Sequence, residues 1–232
     1  MKLCIALDMP SMQENLALAK EVQKHFSKEE IWLKVGLRSF VRDGRDFVRM
    51  LQDLGFRIFL DLKIYDIPNT MLDCVYECHK LGVDMMTIHA SCGKEAMKSI
   101  AKLLRTESSN MRIVAVSALT SFDESSFKEI YNTSIKEGVK SFANIVYESS
   151  IDGLVCSIDE VSLIKSISNT LCCVTPGIRL ESSRLDSNKD DQKRVASVSV
   201  AKKMGSDFIV VGRPIYEASD KFSVIKRILS DM

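Results

Sequence analysis

No stretch of this 232-residue chain approaches the 18 apolar residues that a membrane span requires, and the short apolar run at the N-terminus, M-K-L-C-I-A-L-D-M-P, is cut off by Asp8 and Pro10. The protein is therefore expected in the cytoplasm, without a membrane partner. Neither sign of charge dominates. The 32 Lys and Arg against 31 Asp and Glu offer a polyanion such as nucleic acid no broad surface, so each basic side chain has to be judged singly. No Pro/Gly/Ser-rich linker divides the chain, and residues 1–232 are read as one domain. No G-x-G-x-x-G follows the first strand-like run, which argues against a dinucleotide-binding sheet. An even set of cysteines is also missing. Cys4, Cys74, Cys78, Cys92, Cys156, Cys172 and Cys173 are seven, in a chain able to build its own core, as expected of reduced packing thiols. Cys74, Cys78 and nearby His79 lack further ligands at metal-binding spacing, so no metal is expected there.

What is present is an alternation. Strand-like runs at residues 3–7, 31–35, 58–63, 84–89, 112–117, 153–156, 171–175 and 207–211 are separated by amphipathic stretches of helical length. Those stretches fall at 12–26, 40–54, 70–81, 94–105, 124–147 in two pieces, 158–167 and 193–204, with 219–229 closing the chain. Ser11/Glu14, Ser121/Glu124 and Ser157/Glu160 match the S-x-x-E capping box of a helix start. Glycines after Leu54, Leu81 and Met204 end helices shortly before a strand, so one helix–turn–strand unit is used three times. Eight such alternations predict a closed (β/α)8 TIM barrel.

The run I-F-L-D-L-K-I-Y-D-I-P-N-T at residues 58–70 concentrates charge where burial is expected. Its apolar residues show little polar alternation, as in a strand covered on both faces, yet it carries Asp61, Lys63 and Asp66. Residues two apart on a strand share a face, which sets Asp61 and Lys63 side by side, roughly 6 to 7 Å apart along the chain. Unpaired, such charges would cost several kcal/mol each, roughly, so they form either a structural ion-pair network or a catalytic array.

In a barrel, chemistry gathers at the C-terminal strand ends. Asp8, Lys34, Asp61, Lys63, His89 and Thr120 all fall at or near such ends; Asp8 and Lys34 read equally as barrel-mouth ion pairs, and His89 as a satisfied core histidine. After the seventh strand comes Thr175-Pro176-Gly177-Ile178-Arg179, and after the eighth Val211-Gly212-Arg213-Pro214. Loops in these two places make phosphate sites in barrels, with Gly212 allowing close backbone approach and Arg179 and Arg213 offering forked donors. The alternative is a pair of solvated arginines beside turn residues. Between Arg179 and Lys193 runs a long polar connection of the kind that forms a lid or stays disordered, and Gln192 at its end could bring an amide to a ligand.

The D-L-K-I-Y-D-I-P-N-T run closely resembles the D-x-K-x-x-D-I-P-x-T signature of the orotidine 5′-phosphate decarboxylase family. Supporting matches occur in the family's order from residue 8 to residue 214: Asp8 in A-L-D, Lys34 in L-K-V-G, Leu119-Thr120-Ser121, the Thr175–Arg179 run, Asp191-Gln192, and Val211-Gly212-Arg213-Pro214. The stretch between Arg179 and Gln192 looks longer than usual.

The resemblance implies a homodimeric barrel that converts orotidine monophosphate to UMP and CO2, the last step of de novo UMP synthesis, without metal or organic cofactor. Carried over by position, Lys34, Asp61, Lys63 and Asp66 resemble the family's alternating charged array. Asp66, Ile67 and Thr70 would reach across the dimer into the neighbouring site. Asp8, Lys34 and Thr70 would hold ribose hydroxyls, and Thr120 with Ser121 would lie near the pyrimidine. Gln192, Gly212 and Arg213 would hold the phosphate, with Arg179 in the same region. Loss of CO2 from C6 leaves a carbanion with little resonance help, which a fixed ammonium at Lys63 would stabilise and then protonate. Two other readings share parts of the pattern. Hexulose-phosphate synthases are similar in fold and have a D-x-K-x-x-D core, but use Mg2+ for aldol chemistry; the Ile67–Thr70 continuation and the L-T-S run favour the decarboxylase. A nucleotide-binding module without turnover would not need both Asp61 and Lys63.

Overall fold

Alternate residues of the first strand divide between two packed layers. In β1 (Lys2–Ala6), Leu3 and Ile5 join the apolar layer beneath the helices, while Cys4 and Ala6 join an inner cluster with Trp32, Phe59, Met85, Val114 and Phe208. β2 (Ile31–Gly36) and β3 (Arg57–Ile64) repeat the division, with Ile31, Leu33, Ile58 and Leu60 outside and Trp32 and Phe59 inside. By that parity Lys34 and Asp61 are the next inward residues after Trp32 and Phe59. The charged positions of the sequence are thereby carried into the barrel at its C-terminal end.

The computed structural model describes residues 1–180 and 194–232. The ring is completed by β4 (Met85–His89), β5 (Arg112–Val116), β6 (Gly153–Val155), β7 (Cys172–Thr175) and β8 (Phe208–Val211). Every strand pairs in parallel with its sequence neighbours, and β8 returns to β1 with Leu3 opposite Ile209, which closes the expected barrel. Around it lie α1 (Met12–His25), α2 (Leu37–Asp53), α3 (Pro68–Leu81), α4 (Gly93–Thr106), α5 (Glu124–Tyr131) and α6 (Ile135–Glu148). α7 (Ile158–Ile167), α8 (Val198–Met204), α9 (Arg213–Tyr216) and α10 (Lys221–Asp231) follow. Trp32 meets Phe208 edge-on inside the barrel, ring centroids 5.0 Å apart, near the N-terminal strand ends. Burying rings of this kind contributes about 1.5–3 kcal/mol each. The barrel is filled there and open for chemistry only at its other end.

Several boundaries differ from expectation for local reasons. Capping boxes stand at Ser11/Glu14 and Ser157/Glu160, but not at Ser121/Glu124. Asp123 caps α5 instead, accepting from the Ser126 N–H at 2.9 Å, and Glu124 accepts from the Ile135 N–H at 3.1 Å, joining α5 to α6. α2 starts at Leu37 rather than residue 40 and breaks at Gly44, whose φ of 66° only glycine adopts easily. α3 starts at Pro68 rather than residue 70, since proline fits a first helical turn. α8 starts at Val198 rather than residue 193, because Ala196 is drawn into a parallel bridge with Ile178 and Ser197 takes the cap.

Candidate active site

Four charged side chains of alternating sign run across the barrel mouth. Lys34 on β2 places Nζ 3.4 Å from Asp8 Oδ2, just past β1, and 3.5 Å from Asp61 Oδ2 on β3. Asp61 Oδ1 then accepts from Lys63 Nζ at 2.8 Å. Gly36 keeps the first link open: a Cβ there would lie 2.8 Å from Asp8 Oδ1 and 2.9 Å from Lys34 Nζ. The Lys34 side chain is 9% exposed and that of Lys63 40%, so Lys63 is the more accessible of the two ammonium groups.

The proximity of Asp61 and Lys63 does not come from plain strand alternation. β3 pairs with β4 at Leu60–Met86 and again at Ile64–Ile88, so Asp61, Leu62 and Lys63 together face the single residue Thr87. This is a bulge, and within it Lys63 takes a left-handed φ of 52°, costly for a residue with a Cβ. The bend replaces the expected separation along the strand with a direct ion pair. Strained, bulged backbone is common where a side chain must be aimed at chemistry.

Electrostatics keep Lys34 and Asp61 ionised. Burial opposes the charge on Lys34, yet Asp61 and Asp8 outweigh it and hold the ammonium above its ordinary range. Burial likewise opposes the charge on Asp61, and Lys34, Lys63 and the hydrogen bonds from Lys63 and Thr87 outweigh it, holding the carboxyl below the usual range. Burial and then the Lys63 charge push His89 down, so it is neutral at pH 7. Its ring stacks on Tyr65 with centroids 5.7 Å apart, and its Nδ1 accepts from the Ser91 N–H at 3.3 Å. His89 is thus a half-buried strand-end histidine and not part of the cavity wall.

The array borders a cavity of about 260 Å³. Its lining takes in Asp8, Lys34, Asp61, Lys63 and Thr120 together with Pro176, Gly177, Arg179, Gly212 and Arg213, and the apolar Ala6, Phe59, Val155 and Val210. Strands widely separated in sequence therefore bring the two groups of candidate residues to one space. Gly212 caps α9, and a Cβ on it would meet Ala6 and Tyr216 at 3.3 Å, a tight contact that glycine avoids. Arg179 is fixed by its own N–H, donating to the Ala196 carbonyl at 2.8 Å.

Asp66, Ile67 and Thr70 are not in this wall. All three are exposed, and the Asp66 carboxylate accepts only from the Ile67 N–H, 2.7 Å away, among the described residues. Ser121 is exposed as well, beside Thr120. Gln192 lies outside the described residues.

Two members of the site carry no signal in the motifs. Tyr216 lines the cavity three residues beyond Arg213, and burial, then the charge of Asp8, raise its hydroxyl above the usual range. Thr87 is fully buried behind the bulge, and its position as the only polar side chain before His89 in the run M-M-T-I-H was the available clue. Among the described residues no three His, Cys, Asp or Glu side chains are grouped to hold a metal ion.

Comparison with known proteins agrees with this geometry. The sequence profile described as the orotidine 5′-phosphate decarboxylase / HUMPS family matches residues 1–228. A protein of a Nitratiruptor species named orotidine 5′-phosphate decarboxylase is 49% identical over 235 residues, spanning 100% of both chains. One of the same name from Campylobacter jejuni is 48% identical over 234 residues, again over 100% of both. The crystal structure of the Lactobacillus acidophilus orotidine 5′-phosphate decarboxylase has a TM-score of 0.82 and 31% identity, covering 99% of this chain and 98% of that one. With the profile and full-length relatives in agreement, the chain belongs to the orotidine 5′-phosphate decarboxylase / HUMPS family.

Proposed function

We propose that this protein decarboxylates orotidine monophosphate to UMP and CO2, as one barrel formed from residues 1–232, in the cytoplasm and without a cofactor. The observation that carries the reading is the placement of Lys63 Nζ, 2.8 Å from Asp61 Oδ1 and in the lining of a cavity that Arg179 and Arg213 also line. With the phosphate on Arg213, the Gly212 backbone, Arg179 and Gln192, the base extends toward Lys63, and Asp8 and Lys34 meet the ribose hydroxyls. Thr120 stands on the pyrimidine side. When the bond from C6 to the carboxylate breaks, the electron pair stays on C6 and CO2 leaves. Lys63 offers fixed positive charge to that pair and then gives C6 its proton, to be reprotonated from solvent. Asp61, with Asp66 from the neighbouring subunit, keeps the Lys63 ammonium aimed.

Asp66, Ile67 and Thr70 are assigned to the neighbouring site of a homodimer. Ile67 is 68% exposed and Tyr65 64%, and in the first turns of α2, which follows the neighbouring strand β2, Leu37 is 58% and Val41 77% exposed. Exposed apolar side chains after adjacent strands suit a subunit contact.

The family profile also takes in synthases, so the deciding experiment separates the two chemistries. Purified protein is incubated with orotidine monophosphate in EDTA while the orotate absorbance is followed. Loss of absorbance with release of UMP supports the decarboxylase; no loss, together with a Mg2+-dependent aldol reaction of a pentose phosphate, refutes it.

A further inference from the structure

Thr87 is the one residue of β4 that faces the bulge, and it touches both halves of the Asp61–Lys63 pair. Its Oγ1 accepts from the Lys63 backbone N–H at 2.7 Å and lies 3.0 Å from Asp61 Oδ1. A hydroxyl has a single proton, so with the Lys63 amide as donor that proton is directed to the carboxylate. The side chain is fully buried.

We propose that Thr87 is a positioning residue for the charged array, its hydroxyl replacing the ladder bond that the bulge removes and holding the Lys63 backbone and the Asp61 carboxylate in register. The role rests on the decarboxylase reading above. Where three residues of β3 face one of β4, the Lys63 N–H has lost its regular strand partner. A buried N–H left unmade is costly, and at a left-handed φ it would also free the backbone to relax. Thr87 closes both gaps from a β-branched side chain with few rotamers, which makes the placement rigid. Asp61 Oδ1 receives Thr87 and Lys63 Nζ together, so the hydroxyl also sets the angle at which the carboxylate meets the ammonium.

Thr87 does not line the cavity, and its loss removes no contact to a bound nucleotide. Its effect therefore belongs in turnover and not in affinity. Misplacing a reacting group by about 1 Å costs roughly 100-fold in rate. Thr87→Val keeps the shape and removes the hydroxyl, whereas Thr87→Ser keeps the hydroxyl. The expected result is a kcat for orotidine monophosphate about 100-fold lower in Thr87→Val, with the Kd for UMP unchanged and most of the rate restored in Thr87→Ser. A Thr87→Val protein that binds UMP and retains wild-type kcat overturns the role, as does a Thr87→Ser protein as slow as Thr87→Val. If Thr87→Val fails to bind UMP, Thr87→Ala takes its place in the comparison, and the same two results overturn the role. A wild-type protein that binds UMP without turnover would refute the decarboxylase reading instead. In that case a crystal structure of Thr87→Val decides the positioning role, and an unmoved Lys63 ammonium overturns it.

Discussion

Lys34 and Asp61 face each other inside the barrel mouth at 3.5 Å, on neighbouring strands whose inward residues are otherwise apolar. Only its acidic partners offset the desolvation of Lys34, and without it Asp8 and Asp61 would share the site with no cation between them. Lys34→Met should therefore lose roughly 3 kcal/mol of stability in chemical denaturation, the usual order for breaking a buried pair, along with most turnover. The sign with pH follows from the shifts. Lys34 is raised on folding, so its contribution is complete below about pH 10 and is lost as pH rises through its folded value. Asp61 is depressed, so its contribution is complete above about pH 4 and is lost as pH falls through its folded value. The stability difference between wild type and Lys34→Met should stay level across neutral pH and narrow at both extremes. A difference that changed steeply between about pH 6 and 9 would contradict the assignment.

Lys63 is the more exposed of the two lysines that line the cavity, and on the proposed mechanism two separate effects depend on it. Electrostatic stabilisation of the carbanion and delivery of its proton are together worth about 10,000-fold or more. Lys63→Ala should lose that much in kcat while UMP binding remains measurable by calorimetry. Near-normal turnover in this variant would remove the proposed role.

The sequence made the barrel legible because its two cues are local. Strand runs such as I-V-V-G and glycines such as Gly82 and Gly205, which sit at φ of 77° and 90°, punctuate the chain without reference to distant residues. The charged array was legible for a similar reason, since Asp8, Lys34, Asp61 and Lys63 all stand at strand ends that a closed barrel must gather. What stayed hidden depends on pairing between strands. Nothing in D-L-K announces that Asp61, Leu62 and Lys63 will face one residue of β4, so the bulge could not be read beforehand, and the lone polar Thr87 in M-M-T-I-H marks a position without showing what it touches. The cap at Asp123 was missed because two acceptors close in sequence compete, and geometry selects between them.

Arg213 precedes Pro214 in α9 and lines the same cavity as Lys63. On the proposed reading a guanidinium there serves the phosphate and not the base. Arg213→Ala should weaken UMP by roughly 10- to 100-fold, the range for losing charge-assisted hydrogen bonds, and leave uridine affinity unchanged. Equal losses for both ligands, measured by titration, would show that the arginine has no special part in gripping phosphate. Because the phosphate is remote from the bond being broken, its grip can also align the base, and orotidine without phosphate should lose rate as well as affinity.

Asp66 follows β3 yet points away from the cavity its own chain forms, held by the Ile67 N–H on an exposed turn. If it serves a neighbouring subunit, two inactive variants can repair one another. Asp66→Ala supplies an intact Lys63, and Lys63→Ala supplies an intact Asp66. In a hybrid dimer one site then holds both groups and the other holds neither. Equal mixing makes half of the dimers hybrids with one good site each, so about a quarter of the wild-type activity should return. The mixture has to be unfolded and refolded together, and hybrid formation verified with a size-tagged partner. Hybrids that form and remain inactive would place Asp66 outside the shared site, and the exposed Ile67 and Thr70 would then need another partner.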